Sequence, residues 1–145
     1  MKFHTYSVNE TMQLANKVAM NISYGKVLAL TGDLGSGKTV FAKGFAKAIG
    51  IKDSISSPTF KLVSEYTNGR IWLYHIDAYR LNGIKDFVNI GGEDYLSPKK
   101  GFTIIEWADL IEDVLDDNAV YINFSRADKN FNKRMITIRG IKIVH

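Results

Sequence analysis

The chain has 145 residues, of which 46% are hydrophobic and 23% charged, values that are typical of one globular domain and exclude a disordered or collagen-like chain. It contains no cysteine, which excludes disulfide bonds, thiolate zinc sites and a cysteine nucleophile. The net charge of +4 is compatible with a nucleotide-rich partner, although an ordinary solvated surface also explains so small an excess.

The N-terminal segment does not have the pattern expected of a secretory signal. It reads MKFHTYSVNE, without the long apolar stretch of a secretory signal. No run of the sequence approaches the roughly eighteen apolar residues of a membrane span. We therefore expect a soluble, cytoplasmic protein with no membrane partner and no DNA partner.

The first third of the chain predicts strands and helices in alternation. Ser7 and Glu10 have the spacing of a capping box, which opens a helix, and Gly50 is typical of a helix end. Short apolar runs with β-branched residues favour buried strands. The predicted elements are a strand over Lys2 to Tyr6, a helix over Val8 to Ile22, a strand over Val27 to Leu30 and a helix over Lys38 to Ile49.

The remainder of the chain predicts strands joined by turns and short helices. The dipeptide Asn68-Gly69 is a strong hairpin signal. Together with the first third, this order predicts a single α/β domain over residues 1–145 with a mixed, partly parallel sheet. The predicted elements are strands over Phe60 to Tyr66, Arg70 to Asp77 and Gly101 to Trp107, a mixed segment over Leu81 to Pro98, a helix over Ala108 to Leu115, and two closing strands, Val120 to Phe124 and Arg134 to Ile143, around a polar turn near Asp128.

One motif carries a clear chemical meaning. The segment Gly32-Asp33-Leu34-Gly35-Ser36-Gly37-Lys38-Thr39 matches the P-loop pattern G-x-x-x-x-G-K-[ST], and it lies between a predicted strand and a predicted helix. Its glycines permit backbone N–H groups to surround a phosphate, and the following helix adds the positive end of its dipole. Lys38 can reach the β- and γ-phosphates, and the Thr39 hydroxyl can ligate Mg²⁺. We expect this segment and the adjoining Val40 to bind nucleotide.

A P-loop ATPase also needs acidic residues near its metal ion. Glu106 ends the apolar run Phe102 to Ile105, and Asp77 ends the predicted strand before it. Either carboxylate could hold Mg²⁺ or position the attacking water. The lysine and these two acids, Lys38, Asp77 and Glu106, are therefore the predicted catalytic residues, and Thr39, Glu106 and Asp77 the predicted metal ligands.

Two weaker patterns remain open at this point. His75-x-Asp77-x-Tyr79 places three polar side chains on one face of an extended segment, but no third metal ligand is obvious nearby, so His75 is interpreted as a packed or hydrogen-bonding residue. Ser57-Pro58-Thr59 lies in a loop before a strand, where the hydroxyl of Thr59 could face a γ-phosphate or a water molecule.

Other classes of P-loop protein fit less well. GTPases read guanine with an Asn/Thr-Lys-x-Asp segment, and neither Asn16-Lys17-Val18-Ala19 nor Asn132-Lys133-Arg134-Met135 contains the aspartate. Small-molecule kinases clamp phosphate with arginines from a lid, and the five arginines here form no obvious cluster in the sequence. A small-molecule kinase and a nucleotide-gated assembly module remain the alternatives to an ATPase.

The motifs in combination resemble the bacterial TsaE (YjeE) family across nearly the whole chain. The resemblance rests on the P-loop, on Ser57-Pro58-Thr59-Phe60, on the run Tyr74-His75-Ile76-Asp77-Ala78-Tyr79-Arg80-Leu81, and on Ile105-Glu106-Trp107, in this order and spacing. Ser7 and Thr11 resemble the S-x-x-x-T pattern at the family's N-terminus. The stretch Asn82 to Asn89 departs from the family, because it lacks the paired glutamates often seen after Y-R-L.

The resemblance implies a P-loop NTPase-like three-layer fold and an ATPase that uses ATP and Mg²⁺. It implies a role in the biosynthesis of N6-threonylcarbamoyladenosine, the modified base beside the anticodon of certain tRNAs. The implied partner is the TsaD–TsaB heterodimer, with tRNA reached only through that complex. It also implies that Thr11 lies near the nucleotide, that Arg134 reaches it from the closing strands, and that Trp107 covers the site or reports on it.

Overall fold

A computed structural model describes residues 1–33, 35–56, 62–126 and 133–144. This part of the chain forms a seven-stranded sheet with three α-helices and three 3₁₀ segments. The strands are β1 (Lys2–Thr5), β2 (Val27–Gly32), β3 (Val63–Thr67), β4 (Trp72–Asp77), β5 (Gly101–Glu106), β6 (Val120–Arg126) and β7 (Arg134–Arg139). The helices are α1 (Val8–Asn21), α2 (Lys38–Ala48) and α3 (Ile84–Asn89), and the 3₁₀ segments are Ala78–Arg80, Gly92–Tyr95 and Ala108–Val114.

The sheet is mixed, as the sequence predicts. Its strand order is β1-β7-β6-β2-β5-β4-β3. The four central strands β6, β2, β5 and β4 are parallel, and the outer strands β3, β7 and β1 pair antiparallel. All four parallel strands therefore end at the same edge of the sheet, which is where ligands bind in open α/β folds.

Helices and 3₁₀ segments cover both faces of the sheet. Helices α1 and α2 pack on one face over a core that includes Phe41, Phe45 and Phe102. Helix α3 and the three 3₁₀ segments pack on the other face around Phe87 and Ile111. The result is the expected three-layer arrangement. None of the helices in the described ranges is long and apolar enough to cross a membrane.

Local chemistry explains how the first two helices are placed. The Ser7 hydroxyl accepts a hydrogen bond from the Glu10 amide at 3.1 Å, as the predicted capping box requires, whereas the Glu10 carboxylate accepts from the amide of Tyr6, one residue before the cap, at 3.0 Å. Gly44 permits α1 and α2 to cross closely, because a Cβ atom there would lie 2.8 Å from the Cα of Met12.

Several predicted bounds differ from the structure. The segment predicted as a helix from Ala108 is a kinked 3₁₀ segment, with non-helical dihedral angles at Ile111. The closing strand ends at Arg139 rather than at Ile143, because Gly140 turns the chain at a φ of +102° and Ile143 packs into the core instead. Phe60 and the turn near Asp128 lie outside the described residues.

Candidate functional site

The parallel strands bring the predicted site residues to one edge of the sheet. The P-loop follows β2 and leads into α2. Asp77 is the last residue of β4 and Glu106 the last of β5, and the two are partners in the register of these strands. Glu106 is also the partner of Leu30, two residues before the end of β2. The carboxyl ends of β2, β4 and β5 therefore gather one lysine and two carboxylates that are far apart in sequence.

The backbone of the P-loop depends on glycine. Gly32, Gly35 and Gly37 all have positive φ angles, of 135°, 74° and 110°. At Gly32, a Cβ atom would lie 2.3 Å from the carbonyl oxygen of Phe124 in β6, so the loop leaves the sheet where no side chain fits. Gly37 directly precedes α2, so the positive end of the helix dipole faces the P-loop, an arrangement that favours an anion there.

Lys38 is largely buried and turned back onto its own loop. Its ammonium group donates hydrogen bonds to the carbonyl oxygens of Gly32 and of Asp33, the latter at 2.9 Å. The same group lies 4.2 Å from the centre of the Trp107 ring. Burial lowers the pKa of Lys38, although Glu106 and other nearby carboxylates partly offset this effect. The cation that would bind phosphate is thus held by carbonyl dipoles and by an aromatic face.

Glu106 is a buried carboxylate with a partner on each oxygen. Its Oε2 atom lies 2.5 Å from Nε2 of His75, and its Oε1 atom accepts a hydrogen bond from the Thr39 hydroxyl at 3.1 Å. Burial alone would raise the pKa of Glu106, but the hydrogen bonds from His75 and Thr39 and the charge of Lys38 outweigh burial and lower it. Glu106 is therefore ionised at neutral pH, as a metal ligand must be.

Asp77 is in a different electrostatic situation. Its Oδ1 atom accepts a hydrogen bond from the Tyr79 amide at 3.0 Å and so caps the 3₁₀ segment that follows β4. Partial burial raises the pKa of Asp77, and the charge of Glu106 raises it further, against the lowering effect of the amide. The two acids thus differ in character, since the pKa of one is lowered and that of the other is raised.

These side chains line one cavity of about 510 Å³, which adjoins the P-loop and the start of α2. Thr39, Glu106 and Asp77 contribute hydroxyl and carboxylate oxygens, the donors that Mg²⁺ prefers. The donor set therefore fits a magnesium ion that shares its coordination sphere with phosphate oxygens and water. The described lining consists of Gly35, Gly37, Lys38, Thr39, Val40, Asp77, Tyr79, Arg80, Glu106, Trp107 and Arg134.

Two of the remaining predicted residues lie at different distances from this cavity. Arg134 lines it, and its guanidinium donates to the Gly35 carbonyl at 3.2 Å. Thr11 is a buried residue near the N-terminus of α1, and its hydroxyl shares a hydrogen bond of 2.8 Å with that of Thr5. Thr5 is the partner of Arg134 in the pairing of β1 with β7, and Arg134 lines the cavity. Thr11 therefore reaches the cavity only indirectly, through Thr5 and Arg134. Leu34 and Thr59 lie outside the described residues.

Beside the predicted Arg134, the structure brings two further arginines to the P-loop and its cavity, Arg126 and Arg80. Arg126 and Arg134 are partners at the ends of β6 and β7, and a Cβ atom at Gly35 would lie 3.0 Å from the guanidinium of Arg126. Arg80 lines the cavity from the opposite side. The sequence predicts two closing strands near these arginines, but the register that makes Arg126 and Arg134 partners is seen only in the structure.

His75 is placed as the sequence interpretation expects. It is fully buried and hydrogen-bonded, and among the described residues no group of three or more His, Cys, Asp or Glu side chains is found that could hold a metal ion. Trp107 is the one described residue other than glycine with a positive φ, of 57°. This backbone turn directs its ring over Lys38 and against Tyr79, whose ring centre is 5.0 Å away.

Fold and site together define the class: this is a protein with a P-loop NTPase-like fold, in which a phosphate-binding loop and two acids meet at the carboxyl edge of a partly parallel sheet. The comparisons with known proteins define the family. The model of the family described as threonylcarbamoyl adenosine biosynthesis protein TsaE matches residues 5–136. The chain belongs to the TsaE family.

Individual relatives support this membership. The chain is 38% identical over 141 residues to the tRNA threonylcarbamoyladenosine biosynthesis protein TsaE of Bacillus subtilis, covering 97% of this chain and 86% of that one. It is 37% identical over 123 residues to the TsaE protein of Treponema pallidum, covering 85% and 90%. The crystal structure of YdiB from Bacillus subtilis superposes with a TM-score of 0.75 and 35% identity, over 99% of this chain and 86% of that one.

Proposed function

We propose that this protein is a Mg²⁺-dependent ATPase that supports the biosynthesis of N6-threonylcarbamoyladenosine in tRNA by binding and cycling a TsaD–TsaB transferase complex. The observation that carries the proposal is the meeting of Lys38, Thr39, Asp77 and Glu106 at one P-loop cavity in a member of the TsaE family. Contact with tRNA is made through the complex, and the reaction takes place in the cytoplasm.

The residues of the cavity have separate roles in binding the phosphates and the magnesium ion. The P-loop amides hold the β- and γ-phosphates, and Lys38 exchanges the carbonyls of Gly32 and Asp33 for phosphate oxygens. Thr39 and Glu106 would hold the magnesium ion, and that ion would supply positive charge that stabilises the negative charge developing on the phosphate oxygens. The lowered pKa of Glu106 supports this role, because a ligand must stay ionised.

Asp77 is then the residue that orients the attacking water. Its pKa is raised by burial and by Glu106, which makes it the more basic of the two carboxylates. It lies at the end of β4, beside Glu106 and across the cavity from the P-loop. The hydrogen bond from the Tyr79 amide holds its Oδ1 atom, which leaves Oδ2 for a water molecule.

Hydrolysis by the isolated protein is slow in this proposal. Lys38 is bound to its own loop and stacked on Trp107, so the nucleotide must displace existing contacts before the site is complete. A partner that repositions Trp107 or supplies a further cation would accelerate the reaction, as residues supplied in trans do by about 10³-fold or more in GTPases. The transferase complex is the partner that the family relationship supports.

The test is phosphate release from Mg·ATP by the purified protein, alone and with purified TsaD–TsaB heterodimer. The proposal expects slow release that rises when the heterodimer is added. Lys38→Ala should abolish release in both conditions, whereas Lys43→Ala, an exposed lysine on the same helix, should not. Release that the heterodimer leaves unchanged would contradict the coupling, and a phosphorylated product in place of free phosphate would indicate a kinase.

A further inference from the structure

His75 is a polar side chain in an otherwise apolar position. It lies on β4 with a relative exposure of 0%, on the same face of the sheet as Leu73 and Asp77. Leu73 belongs to the main core beneath α1 and α2, and Asp77 belongs to the nucleotide cavity. His75 therefore stands at the boundary where the core ends and the candidate site begins.

The two nitrogens of the His75 imidazole differ in their contacts among the described residues. Its Nε2 atom lies 2.5 Å from Oε2 of Glu106. Its Nδ1 atom is buried and has no hydrogen-bond partner within residues 1–33, 35–56, 62–126 and 133–144. Leaving a buried polar nitrogen unpaired is unfavourable. The interaction that offsets this loss in the described structure is the bond to Glu106.

The geometry assigns the direction of that bond. An ionised carboxylate has no proton to give, so Nε2 carries the hydrogen and donates it to Oε2. The second oxygen of the same carboxylate, Oε1, faces the Thr39 hydroxyl at 3.1 Å. The two oxygens of Glu106 are thus divided between a fixed partner in the core and a hydroxyl at the start of α2.

We propose that His75 is a positioning residue for the cation site: by holding Oε2 from behind, it presents Oε1 of Glu106 to the ion that Thr39 also binds. This inference rests on the proposed function, because it concerns the same magnesium site. Without the donor, the carboxylate is free to rotate and to direct both oxygens toward Lys38 and Thr39. Loss of an outer partner of this kind typically lowers metal affinity by about 10–100-fold.

Three substitutions separate positioning from mere filling of space. In His75→Gln the amide nitrogen stands about where Nε2 stands in histidine, so a donor to Glu106 remains. In His75→Asn the shorter side chain places its amide near the position of Nδ1, so that donor is lost. His75→Leu fills a similar volume with no donor. The expected order of function is therefore wild type, then Gln, with Asn and Leu together at the bottom.

The readout is nucleotide affinity, measured by the anisotropy of a fluorescent, non-hydrolysable ATP analogue in Mg²⁺ and in EDTA. The wild-type protein should bind more tightly with Mg²⁺. His75→Gln should keep that gain to within about threefold, whereas His75→Asn and His75→Leu should lose about 10-fold or more of it. Affinity in EDTA should stay close to wild type in all folded variants, because the P-loop itself is unchanged.

The outcomes distinguish the two proposals. A wild-type protein that gains no affinity from Mg²⁺ would overturn the proposed function. A wild-type gain that His75→Asn or His75→Leu retains in full would overturn the role of His75 and leave the proposed function standing. Should His75→Leu fail to fold, as judged by circular dichroism, the comparison of His75→Gln with His75→Asn decides. As a second measurement, a ¹⁵N–¹H spectrum of the wild-type imidazole should show a proton on Nε2, and its absence would refute the assigned bond.

Discussion

Two substitutions of Glu106 should differ in their effect on stability while both remove the carboxylate from the candidate site. Glu106→Ala removes the hydrogen-bond acceptor of the buried His75 nitrogen and of the Thr39 hydroxyl, and each buried donor left without its acceptor costs about 1–3 kcal/mol. Glu106→Gln keeps an oxygen toward His75 and places an amide toward the Thr39 hydroxyl, which can rotate to accept. The loss is then the charge assistance of two hydrogen bonds, about 1–2 kcal/mol in total.

The assay is urea unfolding of wild type and both variants at pH 7 in EDTA. The free energy of unfolding should fall by about 2 kcal/mol more in Glu106→Ala than in Glu106→Gln, which corresponds to a difference in Tm of roughly 4–8 °C for a chain of this size. Both variants should lose the gain in nucleotide affinity that Mg²⁺ provides.

A definite result would refute this reasoning. If Glu106→Ala is as stable as Glu106→Gln, the hydrogen bonds to Glu106 do not offset the burial of its charge. The lowered pKa of Glu106 gives an independent check. The carboxylate's contribution to stability is present above pH 4.5 and is lost as the pH falls below it, so Glu106→Gln should flatten the acid side of the stability profile.

Three further predictions follow from the structure. Because the pKa of Asp77 is raised from its ordinary 3.8, ionisation of Asp77 destabilises the folded protein as the pH rises above that value. Asp77→Asn should therefore be more stable than wild type at pH 7 but not below pH 3.8. A gain in stability that does not depend on pH, measured by urea unfolding, would contradict this. Gly44→Ala should destabilise by about 1–3 kcal/mol despite better helix propensity, since its Cβ would meet the Met12 backbone; an unchanged Tm would show that the helices can separate freely. In a Trp72→Phe background, Trp107 fluorescence should change when ATP draws Lys38 from the ring, and a constant spectrum at saturating nucleotide would indicate that the ring and the lysine stay together.

The sequence predicts those parts of this protein that depend on neighbouring residues. Ser7 and Glu10 form a cap within one turn of helix, and the glycines of the P-loop meet backbone demands inside a single segment. Asp77 and Glu106 could also be predicted as neighbours, because parallel strands end at a common edge. These features need no knowledge of exact register.

The features that escape prediction depend on pairing across the sheet. The arginine pair beside Gly35 exists because β6 and β7 pair in one register among several, and the sequence does not fix that register. The hydrogen bond between His75 and Glu106 requires both side chains to lie on the same face of the sheet. A shift of one residue in the pairing of β4 and β5 would place them on opposite faces. The early end of β7 follows from a glycine turn beside Ala119, which lies on a distant part of the chain.

The strand order has a consequence for folding during synthesis of the chain. The P-loop emerges early in synthesis, but its neighbours in the sheet, β5 and β6, follow some seventy or more residues later. Pairings over such separations close large loops and form slowly. A nascent chain that stops before Glu106 carries the P-loop and Asp77 but lacks the second acid, and one that stops before Arg134 lacks the closing strand. The edge of the sheet that carries the candidate site is therefore assembled only after the strands that follow Asp77 have been made.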